Sequence, residues 1–82
     1  MKAVDYYKRK YGNDKAKAII HLVSELGEFT GSYEKGKDDG AKYELAEVLG
    51  LCHYLADQYG FDISAKAEEI YKDKLKEKYG VE

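Results

Sequence analysis

The chain has 82 residues, a net charge of -2 and interspersed lysines and glutamates. This length predicts one domain, residues 1–82, with a small core that dimerisation would help to stabilise. The charge balance argues against a nucleic-acid surface, which needs a concentrated basic patch. No signal peptide and no apolar run of membrane-spanning length is recognisable, so we expect a cytoplasmic protein without membrane contact. The single cysteine, Cys52, excludes an internal disulfide.

The first half of the sequence predicts two helices. Apolar residues recur at helical spacing over residues 2–11, and Gly12 ends that predicted helix. Asn13 or Asp14 can cap a second helix, which we predict over residues 14–35. Its apolar residues form a wide stripe, namely Ile19, Ile20, Leu22, Val23, Leu26, Phe29 and Tyr33.

The second half predicts two further helices. Residues 36–40 are typical of a turn with capping aspartates, and a third helix follows over residues 41–59. Gly60 ends it, and Asp62 caps a fourth helix that continues to residue 79. One face of the third helix carries Leu45, Val48, Leu49, Cys52, Leu55, Ala56 and Tyr59. On the fourth helix the residues expected to be buried are Ile63, Ala67, Ile70, Tyr71 and Leu75.

The predicted fold class is all-α, because periods near 3.6 dominate and no segment alternates as a strand would. We expect short antiparallel helices that form a four-helix-bundle-type core. Helices two and three are expected to pair across a dimer to complete that core. The glycines within the predicted helices, Gly27, Gly31 and Gly50, are expected where helices pack closely.

Two pairs of glutamates stand out, Glu25 with Glu28 and Glu44 with Glu47, each three residues apart. Residues three apart lie on one side of a helix, with about 5–6 Å between their Cβ atoms. If the second and third helices pack together, four carboxylates therefore converge. Two such charges repel by roughly 4 kcal/mol at about 4 Å and an effective dielectric near 20. A hard cation such as Mg²⁺ or Mn²⁺ relieves that repulsion.

The spacing of these glutamates is unusual within this sequence. Among the 16 acidic residues, only Glu25 and Glu44 have another acid at position i+3. Elsewhere that position usually holds Lys, Gly or Ala, a pattern typical of solvated ion pairs. Spacing alone is equally compatible with acidic stripes on exposed helix faces.

The two glutamate pairs resemble the signature of MazG-like nucleotide pyrophosphohydrolases, which belong to the all-α NTP pyrophosphatase superfamily. The matching segments are Glu25-Leu-Gly-Glu28 and Glu44-Leu-Ala-Glu47-Val-Leu, against a family pattern of E-x-x-E, a gap and E-x-x-D. The basic, aromatic segment 70–80 is also similar to the family's last helix. The resemblance therefore covers roughly residues 14–80.

Two positions depart from the family pattern. Glu47 stands where the family has its last metal-binding Asp, and Asp73 stands where many members place an Asn. His53 invites comparison with the neighbouring phosphoribosyl-ATP pyrophosphohydrolase branch. It follows Glu44 by nine residues, whereas that branch typically has a histidine seven residues after the corresponding glutamate.

The resemblance implies hydrolysis of a nucleoside triphosphate to the monophosphate and pyrophosphate. It implies that Mg²⁺, or Mn²⁺ in its place, is held by the catalytic glutamates Glu25, Glu28, Glu44 and Glu47. Lys74 and Lys78 are candidates for phosphate contact, although a solvated Lys/Glu face is the more frequent origin of such lysines. We expect a homodimer or homotetramer.

Two other classes of function stay open. One is a non-catalytic helical module that dimerises or binds a partner, and the other is a metal-dependent protein that holds a nucleotide without cleaving it. His21, four residues before Glu25, and His53 are expected at the surface or in an interface, because neither follows a glutamate by three as in helical Glu-x-x-His metal sites. Cys52 is expected to be a small buried hydrophobe.

Overall fold

The computed structural model describes all 82 residues and contains four α-helices and no strand. The all-α fold class is therefore confirmed. None of the four helices is both long enough and apolar enough to span a membrane. The helices are α1 (Lys2–Tyr11), α2 (Lys15–Glu34), α3 (Asp38–Tyr59) and α4 (Ile63–Tyr79).

Capping residues explain where α2 and α4 begin. The carboxylate of Asp14 accepts a hydrogen bond from the backbone N–H of Lys17 at 3.2 Å. Asp62 accepts one from the backbone N–H of Ala65 at 3.0 Å. Each bond satisfies a backbone donor that has no partner within its own helix.

The turn between α2 and α3 is shorter than the sequence predicts. α3 begins at Asp38, so the predicted start at residue 41 is three residues late. The residue that precedes the helix is Lys37, which makes no side-chain capping bond. Asp38 and Asp39 instead lie within the first helical turn. Their negative charges stabilise the helix there, because the N-terminal end of the helix dipole is positive.

The core lies where α1 and α2 meet α3. Leu51 and Tyr54 of α3 are fully buried, and Tyr7 of α1 and Ala18 of α2 pack with them. The Tyr54 hydroxyl donates a hydrogen bond to the backbone carbonyl of Gly12 at 2.6 Å. This bond ties the α1–α2 connection to the middle of the molecule.

One mid-helix glycine, Gly50, is required by packing. A Cβ atom at this position would lie 3.1 Å from the Cβ of Ala3 and 3.7 Å from the Tyr7 ring, so Gly50 allows α1 to approach α3 closely. Gly27 and Gly31 have open space where a Cβ would lie. The expectation of close packing is thus confirmed at Gly50 and is wrong within the single chain for the other two.

The predicted apolar stripe of α2 lies largely on the outside of the chain. The α3 stripe is divided: Ala56 is buried and Val48, Cys52 and Leu55 are half-buried, whereas Leu45, Leu49 and Tyr59 are exposed. Ile20 and Val23 are 68% and 63% exposed, and Leu49 is 52% exposed. The reason is that α2 turns a neighbouring face, which carries Ala18 and Glu25, toward the rest of the chain. Cys52, on the α3 stripe, is half-buried, and burial raises the pKa of its thiol.

α4 does not bury the residues predicted for it. It contacts only α3 among the helices, and none of its residues is buried. Ile63 and Ala67 are half-buried at its start, whereas Tyr71 and Leu75 are 60% and 45% exposed. The expected burial is therefore wrong for one chain, because α4 packs only against α3 and no second helix covers its apolar residues.

Candidate metal centre

The buried side chains include one charged residue, Glu25 of α2, which is 8% exposed. It lies two helical turns after Ala18, on the face that α2 turns toward the core. Glu47 of α3 approaches it from the facing helix. One ligand atom from each of His21, Glu25 and Glu47 lies within 4.8 Å of the others. The hairpin of α2 and α3 thus brings together one member of each glutamate pair.

The environment of Glu25 disfavours its charge. Burial raises the pKa of this carboxyl above its ordinary value of 4.5, and the neighbouring Glu28 and Glu47 raise it further. The hydrogen bond with His21 acts in the opposite direction. No lysine or arginine forms an ion pair with any of these carboxylates. The negative charge that converges here therefore has no cationic side chain beside it except the histidine.

His21 links the carboxylate to α1. Its Nε2 lies 3.2 Å from Oε1 of Glu25, and its Nδ1 lies 2.8 Å from the hydroxyl oxygen of Tyr11. His21 is therefore not an exposed surface group but a half-buried member of the cluster. Its spacing of four residues from Glu25 is a signal in the sequence. The contact with Tyr11, ten residues earlier, has no such signal.

The other two predicted ligands, Glu28 and Glu44, do not belong to this group of three. Glu28 is exposed, but it is close enough to Glu25 to raise the pKa of the Glu25 carboxyl. Glu44 is half-buried, and its Oε1 accepts a hydrogen bond from the Ser32 hydroxyl of α2.

The lysines predicted to contact phosphate lie elsewhere in the chain. Lys74 and Lys78 are exposed residues of α4, which does not contact α2. Their ammonium groups lie over the rings of Tyr71 and Tyr79, at 5.3 and 5.5 Å from the ring centroids. The single chain therefore does not bring either lysine to the carboxylates.

A cavity of about 350 Å³ opens between α1 and α3 next to Glu47. Tyr6, Tyr7 and Tyr43 supply its aromatic lining. Burial, followed by the charge of Glu47, raises the pKa of Tyr7 to about 12. Glu47 is also the largest cause of the raised pKa of Tyr43. No pattern in the sequence brings these tyrosines together, because they meet only when α1 packs on α3.

Comparison of the chain with protein-family models, curated proteins and solved structures gives no match. The chemistry of the site therefore rests on its own side chains. These are a buried carboxylate, a second carboxylate on the facing helix, an imidazole between α1 and α2, and an aromatic cavity beside them.

Proposed function

We propose that this chain is a Mg²⁺-dependent, MazG-like nucleoside triphosphate pyrophosphohydrolase, which converts NTP and water to NMP and pyrophosphate. The observation that carries the proposal is the approach of Glu47 to the buried Glu25. A signature made of two glutamate pairs requires its halves to meet across two helices, and these two residues come from different halves.

The donor set fits a divalent cation. Glu25 is buried close to Glu28 and Glu47 without a lysine or arginine partner, so the cluster favours a bound positive charge. Carboxylate oxygens are the ligands that Mg²⁺ prefers. We assign the metal to Glu25, Glu28 and Glu47, with Glu44 at its edge. A divalent ion held by these residues would orient triphosphate oxygens and offset the charge that develops on them.

The glutamates differ in the roles that their surroundings allow. Buried Glu25 is fixed by its hydrogen bond to His21 and serves to hold the cation. Glu44, on α3, is held by its hydrogen bond from Ser32, and we propose that it also helps to hold the cation. Glu28 is the exposed member of the set, so we propose that, besides its place beside the metal, it acts as the general base that accepts a proton from the attacking water.

The tyrosine-lined cavity is the proposed place for the nucleobase. It adjoins Glu47, so a nucleotide whose phosphates meet the carboxylates can extend its base toward Tyr6 and Tyr43. Base stacking on an aromatic ring contributes about 1–3 kcal/mol per base and tolerates any base. The cavity therefore supports a nucleotide substrate and does not by itself select one base.

We further propose that the chain acts as a homodimer or homotetramer. The outward apolar stripe of α2, the exposed residues of the α3 stripe and the unburied α4 leave apolar surface that a second copy can cover. In such an assembly α4 of one copy can approach the carboxylates of another. We propose that Lys74 and Lys78 of one copy contact the phosphates bound at the carboxylates of the other copy. The same apolar surface also favours the alternative function, a non-catalytic module that dimerises or holds a nucleotide.

A pyrophosphate-release assay with Mg²⁺ tests the proposal over canonical, deoxy and damaged NTPs. Glu25→Gln and Glu44→Gln should each lower kcat by at least about a hundredfold. Unchanged turnover in both variants would remove these residues from the site. Binding of Mg²⁺ and nucleotide without pyrophosphate release would favour the non-catalytic module.

A further inference from the structure

We infer that His21 is a metal ligand, and that its imidazole nitrogen makes the site prefer a later transition-metal ion such as Co²⁺ or Zn²⁺ to Mg²⁺. His21 then adds one nitrogen to the carboxylate ligands, and the three mutually close ligand atoms come from His21, Glu25 and Glu47. The inference rests on the proposed function only in taking the carboxylate cluster as a cation site. It does not require that the chain hydrolyse anything.

The distances suit a shared ion. Ligand atoms bound at about 2.0–2.2 Å to one ion lie no more than about 4.4 Å from each other. Nε2 of His21 and Oε1 of Glu25 are already 3.2 Å apart. The three ligand atoms together lie within 4.8 Å. A small side-chain movement of Glu47 is therefore enough to bring all three to one ion.

The hydrogen bond with Tyr11 supports a ligand role for His21. A metal-binding histidine ordinarily donates the N–H of its other ring nitrogen to a neighbouring acceptor, which fixes the tautomer and the ring orientation. The Tyr11 hydroxyl oxygen, 2.8 Å from Nδ1, is such an acceptor. When an ion binds, the hydrogen lies on Nδ1, and the lone pair of Nε2 bonds to the ion in place of the hydrogen bond to Glu25.

Neighbouring rings hold the imidazole in this orientation. The Tyr7 ring meets His21 edge-on, with 5.8 Å between centroids, and stacks against Tyr11 with an interplanar angle of 4°. Tyr7 is itself buried in the core. The position of Nε2 is thus set by α1 before any ion binds, so an ion meets a ligand that is already oriented.

The nitrogen ligand decides the choice of metal. Mg²⁺ and Mn²⁺ favour oxygen ligands, whereas imidazole suits later transition-metal ions such as Zn²⁺ and Ni²⁺. If His21 served only to position Glu25, its replacement by a glutamine, which also donates hydrogen bonds, would leave the choice of metal unchanged. Metal selectivity therefore separates a ligand from a positioning residue.

The test titrates the metal-free chain with Co²⁺, Mn²⁺ and Mg²⁺ in the absence of nucleotide. Visible absorption reports Co²⁺, electron paramagnetic resonance reports Mn²⁺, and calorimetry reports Mg²⁺. The wild-type chain should bind Co²⁺ more tightly than it binds Mn²⁺ or Mg²⁺, the two ions that prefer oxygen ligands. His21→Gln should lower the Co²⁺ affinity by about 10–100-fold with little effect on Mg²⁺, and Tyr11→Phe should lower it by about tenfold.

His53→Gln is the matched control, because His53 is the other histidine and lies outside the cluster. It should bind all three ions as the wild type does. In the wild type itself, Zn²⁺ should shift the ¹⁵N NMR signal of His21 Nε2, a result that needs no variant to fold. Tight Co²⁺ binding that His21→Gln leaves unchanged would overturn this inference alone. Failure of the wild type to bind any of the ions would overturn the proposed metal site as well.

Discussion

The hydroxyl of Ser32, near the end of α2, donates a hydrogen bond to Oε1 of Glu44 in the second turn of α3. Gly40 makes room for this contact, since a Cβ there would lie 3.1 Å from the Ser32 hydroxyl oxygen. The bond crosses the hairpin close to its connection. It therefore holds Glu44 against α2, the helix that carries Glu25.

Ser32→Ala should weaken the proposed activity, because Glu44 loses the bond that holds its carboxylate. Groups that orient metal ligands typically contribute 10–100-fold to activity, so we expect a fall in kcat of about tenfold or more. Ser24→Ala is the matched control, since Ser24 is an exposed serine of the same helix. Equal activity of the two variants would show that Glu44 needs no support from Ser32.

Glu25 should make the metal-free chain less stable as the pH rises. Its pKa in the folded chain lies above the ordinary value of 4.5, so the folded chain binds the proton more tightly than the unfolded chain does. The free energy of unfolding therefore falls as the pH rises from the unfolded pKa through the folded pKa, and it stays lower above that range.

Glu25→Gln removes this titration. In thermal unfolding of metal-free protein, the variant should melt at a higher temperature than the wild type at about pH 8, and the difference should vanish toward about pH 4. A divalent ion should stabilise the wild type more than the variant. A variant that melts lower than the wild type at both pH values would show that the Glu25 charge is compensated in the folded chain.

Tyr54→Phe should destabilise the fold through one lost hydrogen bond. The hydroxyl of this fully buried side chain donates to the Gly12 carbonyl, and such a bond contributes about 1 kcal/mol to stability. For a domain of this size, that corresponds to a fall of roughly 4–8 °C in Tm. Tyr59→Phe, at a tyrosine of the same helix that is 66% exposed, should leave Tm unchanged. Equal melting of the two variants would contradict a structural role for the bond.

The outward apolar residues of α2 and α3 should mediate self-association. Val23→Glu or Leu49→Glu places a charge where an apolar contact with a second copy is expected, and sedimentation velocity should show a shift from oligomer to monomer. Ser24→Glu adds the same charge at an exposed polar residue and should keep the oligomer. A wild-type chain that sediments as a monomer at micromolar concentration would contradict the proposed assembly.

The helices were largely predictable because their signals are local. Gly12, Asp14 and Asp62 mark ends and beginnings that the structure confirms within one residue. The start of α3 was predicted late, because Asp38 and Asp39 were interpreted as residues of the turn. They lie instead inside the first turn of the helix.

The packing and the full site were less predictable. A sequence shows that α2 has an apolar stripe, but not whether that stripe or the face with Ala18 and Glu25 meets the rest of the chain. The place of His21 depends on Tyr11, and that contact forms only when α1 packs beside α2 and α3. The spacing in the sequence therefore predicted that Glu25 and Glu47 meet, but it did not predict that His21 joins them.

The most direct test of the central claim is ³¹P NMR of the products formed from a nucleoside triphosphate and Mg²⁺ by the wild-type chain and by Glu47→Gln. Glu47 is the residue that joins the second glutamate pair to the buried Glu25. We expect the wild type to release nucleoside monophosphate and pyrophosphate in equal amounts, and the variant to release neither. Release of nucleoside diphosphate and inorganic phosphate by the wild type, or equal turnover by the variant, would contradict the account.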